Sequence, residues 1–223
     1  VSELSLDQFF EEKIFRPLGM NDTFFKVPPE KLSRLAAPYM PQDNSIHRLM
    51  EGEAVDWKFG AGTYKITAEG AYSKPNKFIP GGSSLCSTAA DYMRFCQLIL
   101  NGGKLDGIRL LRNDTVQMMT ANQLGGRIGS LGDYGFGFGI LPQDDGVHEQ
   151  LKSSCHWAGG WSTSFHILPR GDWALVTMVQ LAWSDMTPQW SSWTAPLCVT
   201  RSFASRLLWI PYISNEGNPK RKF

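Results

Sequence analysis

Little in this chain is in excess, and the scarcities exclude several classes of function. Net charge is nearly absent, since 22 Lys and Arg against 21 Asp and Glu leave +1. The one basic cluster, Lys220-Arg221-Lys222, sits at the extreme end, so no stripe follows a phosphate backbone and no nucleic-acid partner is expected. Cysteine is scarce too. Cys86, Cys96, Cys155 and Cys198 lie far apart, with no C-x-x-C pair and no histidine at zinc spacing, which predicts buried reduced thiols. No apolar run is long enough to span a bilayer, and no basic start leads into an apolar segment. No membrane partner is expected, nothing supports secretion, and the compartment stays open. Internal repeats and low-complexity stretches are missing as well.

What is present is a globular composition: 42% hydrophobic and 12% aromatic residues over 223 positions can bury a substantial core. Ser5-Leu6-Asp7-Gln8 has capping-box spacing ahead of apolar Phe9, Phe10, Ile14 and Phe15. The helix so opened is expected to stop near Arg16-Pro17-Leu18-Gly19, where Pro17 disfavours helical geometry in the residue before it and Gly19 suits a turn. A second short helix follows from Pro28 through Pro29, Glu30, Lys31 and Leu32. Residues 37 to 82 mix Pro, Gly, Asp and aromatics without sustained period, and read as a long irregular segment forming a cleft wall. Pro80-Gly81-Gly82 then leads into Ser87-Thr88-Ala89-Ala90-Asp91, a hydroxyl cap followed by Tyr92, Phe95, Leu98 and Ile99 at helical spacing. That helix ends at Asn101-Gly102-Gly103. Another runs from Asn113 through Val116, Met118 and Met119, before Gly125-Gly126-Arg127.

The period changes after residue 134. Tyr134-Gly135-Phe136-Gly137-Phe138-Gly139-Ile140 alternates as one strand with close backbone neighbours would. Ser164 to Leu168 and Trp173 to Leu181, split by Pro169-Arg170-Gly171-Asp172, read as an antiparallel hairpin. Residues from Pro196 to Leu208 read as an amphipathic closing helix, and Asn215 to Phe223 as a tail.

Several of these stretches together resemble the serine β-lactamase and penicillin-binding-protein superfamily, on its class C and esterase side. They are Phe15-Arg16-Pro17-Leu18-Gly19-Met20 with Asp22-Thr23, then Gly81 to Gly103, then Leu110-Leu111 through Met119-Thr120. The resemblance runs from about residue 4 to residue 182, and the Ser-Thr-Ala-Ala-Asp-Tyr helix is its most specific part. It implies an α/β (α+β) fold, an antiparallel sheet flanked by helices, and chemistry by acyl transfer through a serine in an S-x-x-K motif with a Y-x-N partner. It also implies a strand triplet of K-T-G, W-x-G or H-x-G type, which Trp157-Ala158-Gly159 fits with Gly160 next. By resemblance, the Gly160 backbone N–H is the oxyanion donor, while Trp157, Ala158, Gly159 and Trp161 line the substrate. A second register takes His156 as the first residue of the triplet, leaving Ala158 where glycine is expected.

No serine here is followed three residues later by lysine, and no tyrosine two residues later by asparagine. In the family both motifs precede a helix like that at Ser5. The expectation is therefore a C-terminal half, residues 1–214, comprising a helical-lobe remnant with cleft loops (1–86) and helices with the C-terminal strands (87–214). Its expected partners are the missing N-terminal half of the same domain and a small-molecule acyl substrate. Without that half the sheet would expose apolar surface and an unpaired edge, predicting poor solubility.

No cofactor and no metal are implied. Asp144 and Asp145 are explained by turn chemistry in Pro142-Gln143-Asp144-Asp145-Gly146. Ser162 in Gly160-Trp161-Ser162-Thr163-Ser164 only approximates a G-x-S-x-G nucleophile elbow. His156 and His166 read as hydrogen-bonded structural residues, and Met118 and Met119 as core filler. Trp183, Trp190 and Trp193 fit either an aromatic wall for an acyl group or a packed cover for the sheet. A tryptophan at the strand triplet supplies no charge for a substrate carboxylate, which favours esterase or transesterase chemistry on a small ester, lactone, β-lactam or amide; Arg127 or Lys152 could still bring a cation. The alternative is a non-catalytic binding or scaffold protein that keeps the cleft.

Overall fold

The computed structural model describes residues 2–42, 45–50, 53–59, 62–67, 79, 85–125, 133–141, 153–169 and 172–182. The expectations for Gly126, Arg127, Asp144, Asp145, Lys152, Trp183, Trp190, Trp193, the closing helix and the tail lie outside these residues.

The chain opens with α1 (Leu6–Phe10), continues through a π-helical turn (Glu11–Phe15) and closes in α2 (Arg16–Leu18). The Ser5 N–H donates to Gln8 Oε1 at 3.2 Å, and the Ser5 side chain faces the first-turn N–H of Gln8, the two halves of the expected capping box. Arg16 itself is helical, contrary to the expectation drawn from Pro17. The π-helical turn before Pro17, in which the Arg16 N–H donates to the Glu11 carbonyl, and the proline's place in the first turn of α2, where no donor is missed, let the helix continue through it. The stop comes at Gly19, left-handed at φ +65, with the Met20 N–H reaching back to the Phe15 carbonyl at 2.9 Å. A 3-10 segment follows (Pro29–Arg34), starting where the prolines placed it.

Residues 37 to 82 are not irregular throughout. They hold two antiparallel hairpins, β1 (Tyr39–Gln42) with β2 (Ser45–Arg48), and β3 (Ala54–Phe59) with β4 (Gly62–Thr67). The period-2 signal was present in Val55, Trp57 and Phe59 against Tyr64 and Ile66, where polar residues alternate with apolar ones.

Helix α3 (Ala89–Leu100) is the spine of the molecule. Thr88 caps it, accepting the Asp91 N–H at 3.2 Å, and Gly102 and Gly103 follow it with positive φ, as their sequence suggests. Cys96 and Ile99 pack with Phe138, Ile140, Cys155, Phe165 and Ile167, while Leu98 packs with Phe15, Leu18, Met20 and Phe25. The helix therefore has cores on two sides. Its first turn is tied down by the Asp91 carboxylate, which accepts the Asp22 N–H at 2.6 Å and the Thr23 hydroxyl at 3.0 Å. The short pair β5 (Lys104–Leu105) and β6 (Ile108–Arg109) leads to α4 (Asn113–Met119). Met119 packs on the sheet-side core, but Met118 is half exposed and fills no core.

The sheet has the order β11-β10-β9-β8-β7, antiparallel throughout, built from β7 (Asp133–Tyr134), β8 (Gly139–Ile140), β9 (Cys155–Ala158), β10 (Ser164–Leu168) and β11 (Trp173–Thr177). The segment expected to be one strand from Tyr134 to Ile140 is instead a reversal between β7 and β8. Gly137 turns left-handed at φ +87, and the Gly135 N–H closes on the Phe138 carbonyl at 2.8 Å. The close neighbour inferred from the glycines is real, because a Cβ on Gly135 would stand 2.0 Å from the Met119 carbonyl oxygen. The hairpin of β10 and β11 forms as expected, but β11 ends at Thr177.

Cys86, Cys96 and Cys155 carry no disulfide, and burial pushes the thiols of Cys96 and Cys155 up to about 12. Both should stay unlabelled by a maleimide at pH 8 in the native chain and react after unfolding in guanidinium, as peptide mass mapping would reveal. A second expectation concerns the α3 anchor. Asp91→Ala leaves a buried hydroxyl and an N–H without their acceptor and should cost about 3 kcal/mol. Thr88→Ala removes only a cap and should cost about 1 kcal/mol in urea unfolding.

Candidate functional site

The candidate site lies where β9 leaves the sheet. Because β9 is the central strand, its residues alternate under fixed neighbours: Cys155 opposite Ile167, His156 opposite His166, Trp157 opposite Phe165 and Ala158 opposite Ser164. Cys155 therefore shares the α3 face with Phe165 and Ile167. Trp157 stands on that same side at the strand end, 37% exposed, with Tyr134 edge-on to its ring at 5.5 Å. It presents an apolar surface at the mouth of the turn.

Gly159, Gly160, Trp161 and Ser162 form that turn. The Gly159 N–H donates to the Thr163 carbonyl at 2.8 Å, and the Ser162 N–H to the Gly159 carbonyl at 3.0 Å. A Cβ on Gly159 would lie 2.5 Å from Thr163 Oγ1, so a larger residue there would have to displace the threonine hydroxyl. Gly160 is exposed, and its N–H has no acceptor among the described residues. Trp161 packs on Met40, Leu49 and Ala182, joining the turn to the β1–β2 hairpin. The structure thus brings Trp157, Ala158, Gly159, Gly160 and Trp161 together at one strand end.

Ser162 is buried at 8% exposure, left-handed at φ +62, and its hydroxyl donates to the Leu181 carbonyl at 2.8 Å. A hydroxyl committed to a carbonyl acceptor is not poised for attack, which agrees with the weak elbow pattern. Long-range anchoring of this kind leaves no trace in local spacing, and the link from the turn to Leu181 and Tyr39 was not foreseen.

His156 and His166 face away from α3, with rings stacked at 5.5 Å and 16° between planes. His156 lies against Gly139, where a Cβ would be 3.0 Å from its Nε2. Burial pushes its pKa down to about 4, and His166 is only 2% exposed. The Ser154 and Ser164 hydroxyls are buried with no hydrogen-bond partner among the described residues. Among those residues no group of three or more His, Cys, Asp or Glu could hold a metal, and no helix is long and apolar enough to cross a membrane.

A fold with this helix spine, antiparallel sheet and glycine-rich turn after the central strand is that of the serine β-lactamase-like proteins. The family model described as Beta-lactamase matches residues 1–187, and the chain belongs to that family. Two relatives from Mycobacterium tuberculosis, "Uncharacterized protein MT1414" of strain CDC 1551 and "Protein Rv1367c" of strain H37Rv, are each 27% identical over 196 residues. The match takes in 81% of this chain and 44% of theirs, so the chain spans less than half the length of these relatives. Among solved structures, EstCE1, "a hydrolase with promiscuous acyltransferase activity", superposes with a TM-score of 0.69 at 19% identity, covering 83% of this chain and 48% of its own. Simvastatin synthase (LovD) from Aspergillus terreus gives 0.59 at 21% identity, covering 91% and 50%. An octameric penicillin-binding protein homologue from Pyrococcus abyssi gives 0.53 at 14%, covering 89% and 38%. These likenesses establish the fold.

Protonating buried His156 opposes folding. Below about pH 6.5 the unfolded chain binds a proton that the folded chain refuses until about pH 4. Stability contributed by neutral His156 is therefore complete above pH 6.5 and falls as pH drops through that window, by on the order of 3 kcal/mol. His156→Gln should flatten this part of the profile when unfolding midpoints are compared at pH 7 and pH 4.5.

Proposed function

We propose that this chain supplies the oxyanion side of a serine hydrolase or acyltransferase that works through an acyl-enzyme. The observation that carries the reading is the Gly160 N–H, exposed at the end of the central strand and without an acceptor among the described residues. When a nucleophile adds to an ester carbonyl, negative charge gathers on the former carbonyl oxygen. A donor already aimed there lowers the barrier without reorganisation. The nucleophilic serine and its base would come from S-x-x-K and Y-x-N elements, neither of which occurs in these 223 residues.

Trp157 beside this donor offers an apolar wall and no positive charge, which favours a small ester or lactone over a substrate bound through its carboxylate. Esterase or transesterase is thus the preferred reaction, with β-lactam or amide cleavage behind it. In this reading Ala158, Gly159 and Trp161, at the end of β9 and in the turn that follows, line the substrate beside Trp157. A non-catalytic binding protein that keeps the cleft is the rival, favoured by the missing S-x-x-K.

The deciding observation is the reading frame immediately before Val1. If it encodes an S-x-x-K helix and a Y-x-N loop, the longer product should hydrolyse p-nitrophenyl acetate and take one fluorophosphonate on that serine. The 223-residue chain alone should take none. A native start codon there with neither motif refutes the enzyme reading for this chain, and stoichiometric labelling at Ser162 would refute the site assignment.

A further inference from the structure

Ser162 stands in a backbone conformation, φ +62, that glycine adopts freely and L side chains rarely enter. Strain of this kind persists only where the surroundings hold it, and it gathers at functional sites. Here the holding contacts are explicit. The Ser162 hydroxyl donates to the Leu181 carbonyl at 2.8 Å, and the Leu181 N–H returns to the Trp161 carbonyl at 3.2 Å. On its other side the same short segment is paired with β1: the Tyr39 N–H donates to the Gln180 carbonyl at 2.8 Å, and the Ala182 N–H to the Tyr39 carbonyl at 2.9 Å. Residues 180–182 are thus a splint with the Gly159–Ser162 turn on one edge and the β1–β2 hairpin on the other. Trp161 packed on Met40, Leu49 and Ala182 fills the space between them.

We propose that Ser162 is a positioning residue: its hydroxyl locks the Gly159–Ser162 turn to Leu181, fixing the Gly160 N–H relative to the β1–β2 hairpin and making that hairpin one wall of the acyl site. Its meaning for acyl chemistry rests on the reading of Gly160 given above; the mechanical coupling does not. The choice of side chain is specific. Glycine would suit the backbone but lacks the donor, alanine has neither advantage, and threonine adds a β-branch that the left-handed region resists. Asparagine tolerates the left-handed region and carries an amide donor.

The test compares the 223-residue chain with Ser162→Gly, Ser162→Ala and Ser162→Asn by hydrogen exchange, read by mass spectrometry on peptides covering 159–163 and 178–182. Ser162→Gly should melt no lower than the parent, yet exchange at least tenfold faster in both peptides and in the one containing Tyr39. Peptides from β10 and β11 should keep the parent rate. Ser162→Ala should exchange as fast and also melt lower, whereas Ser162→Asn should return both peptides towards the parent rate. A purely structural role would not separate melting from local exchange, nor be rescued by asparagine. Unchanged exchange in Ser162→Gly overturns the proposal, as does Ser162→Asn exchanging like Ser162→Ala. No substrate enters this measurement, so failure of the enzyme reading would surface in the labelling experiment and not here.

Discussion

The Asp91 carboxylate joins the N-terminal helical segment to the rest of the described structure. It sits in the first turn of α3, where the helix dipole favours an anion, and takes its donors from Asp22 and Thr23, nearly seventy residues earlier in the chain. Thr23 is 1% exposed and also shares a 2.8 Å hydrogen bond with Ser87. Next to this cluster, Phe24 and Cys86 exchange backbone hydrogen bonds in both directions. Polar groups this deep are tolerated because they bond to one another, and such a network specifies one geometry where apolar packing would allow several. Arg94, one turn on, extends the same tie by donating to the Leu18 carbonyl and to Asp106.

Everything at the candidate site inherits that placement. With its first turn fixed, α3 offers Tyr92, Phe95, Cys96 and Ile99 to the sheet, and the rings of Tyr92, Phe95, Phe138 and Phe165 form a connected aromatic layer beneath β9 and β10. The layer sets which face of β9 is buried. Alternation then decides that His156 turns away and Trp157 stays on the α3 side, at the strand end where the turn begins. A cap and a carboxylate some distance from the turn thus help to seat the helix against which β9 packs.

The elements written in local chemistry were legible in the sequence. Thr88 as a cap, Gly102 and Gly103 as a stop, the capping box at Ser5 and the prolines at 28 and 29 all act within a few residues of themselves. Reading failed where the signal was short or ambiguous. The Tyr134–Ile140 alternation suits one strand as well as a reversal, and only the left-handed Gly137 distinguishes them. The hairpins of residues 39–67 carry genuine alternation, but isolated prolines, glycines and charges obscured it. Resemblance drew attention to Trp157–Gly160, which the structure places across the end of β9 and the start of the turn. The splint through Leu181 and Tyr39 could not be read, because Tyr39 meets residues 180–182 from far along the chain through backbone groups that every residue possesses, and the Ser162 hydroxyl finds Leu181 outside any local motif.

The middle position of β9 also bears on how such a protein can vary over time. A residue inserted just before Cys155 would send Trp157 to the opposite face and push Cys155 out of the core, with β8 and β10 resisting on both sides. The paired strands of residues 39–48 and 54–67 lie outside that five-stranded order, each hairpin forming a sheet of its own. A change of length in the 54–67 hairpin leaves that order untouched. Variation in the β3–β4 hairpin therefore leaves β9 in register, whereas β1, bonded to residues 180–182, cannot shift without pulling on the segment that holds the Ser162 hydroxyl.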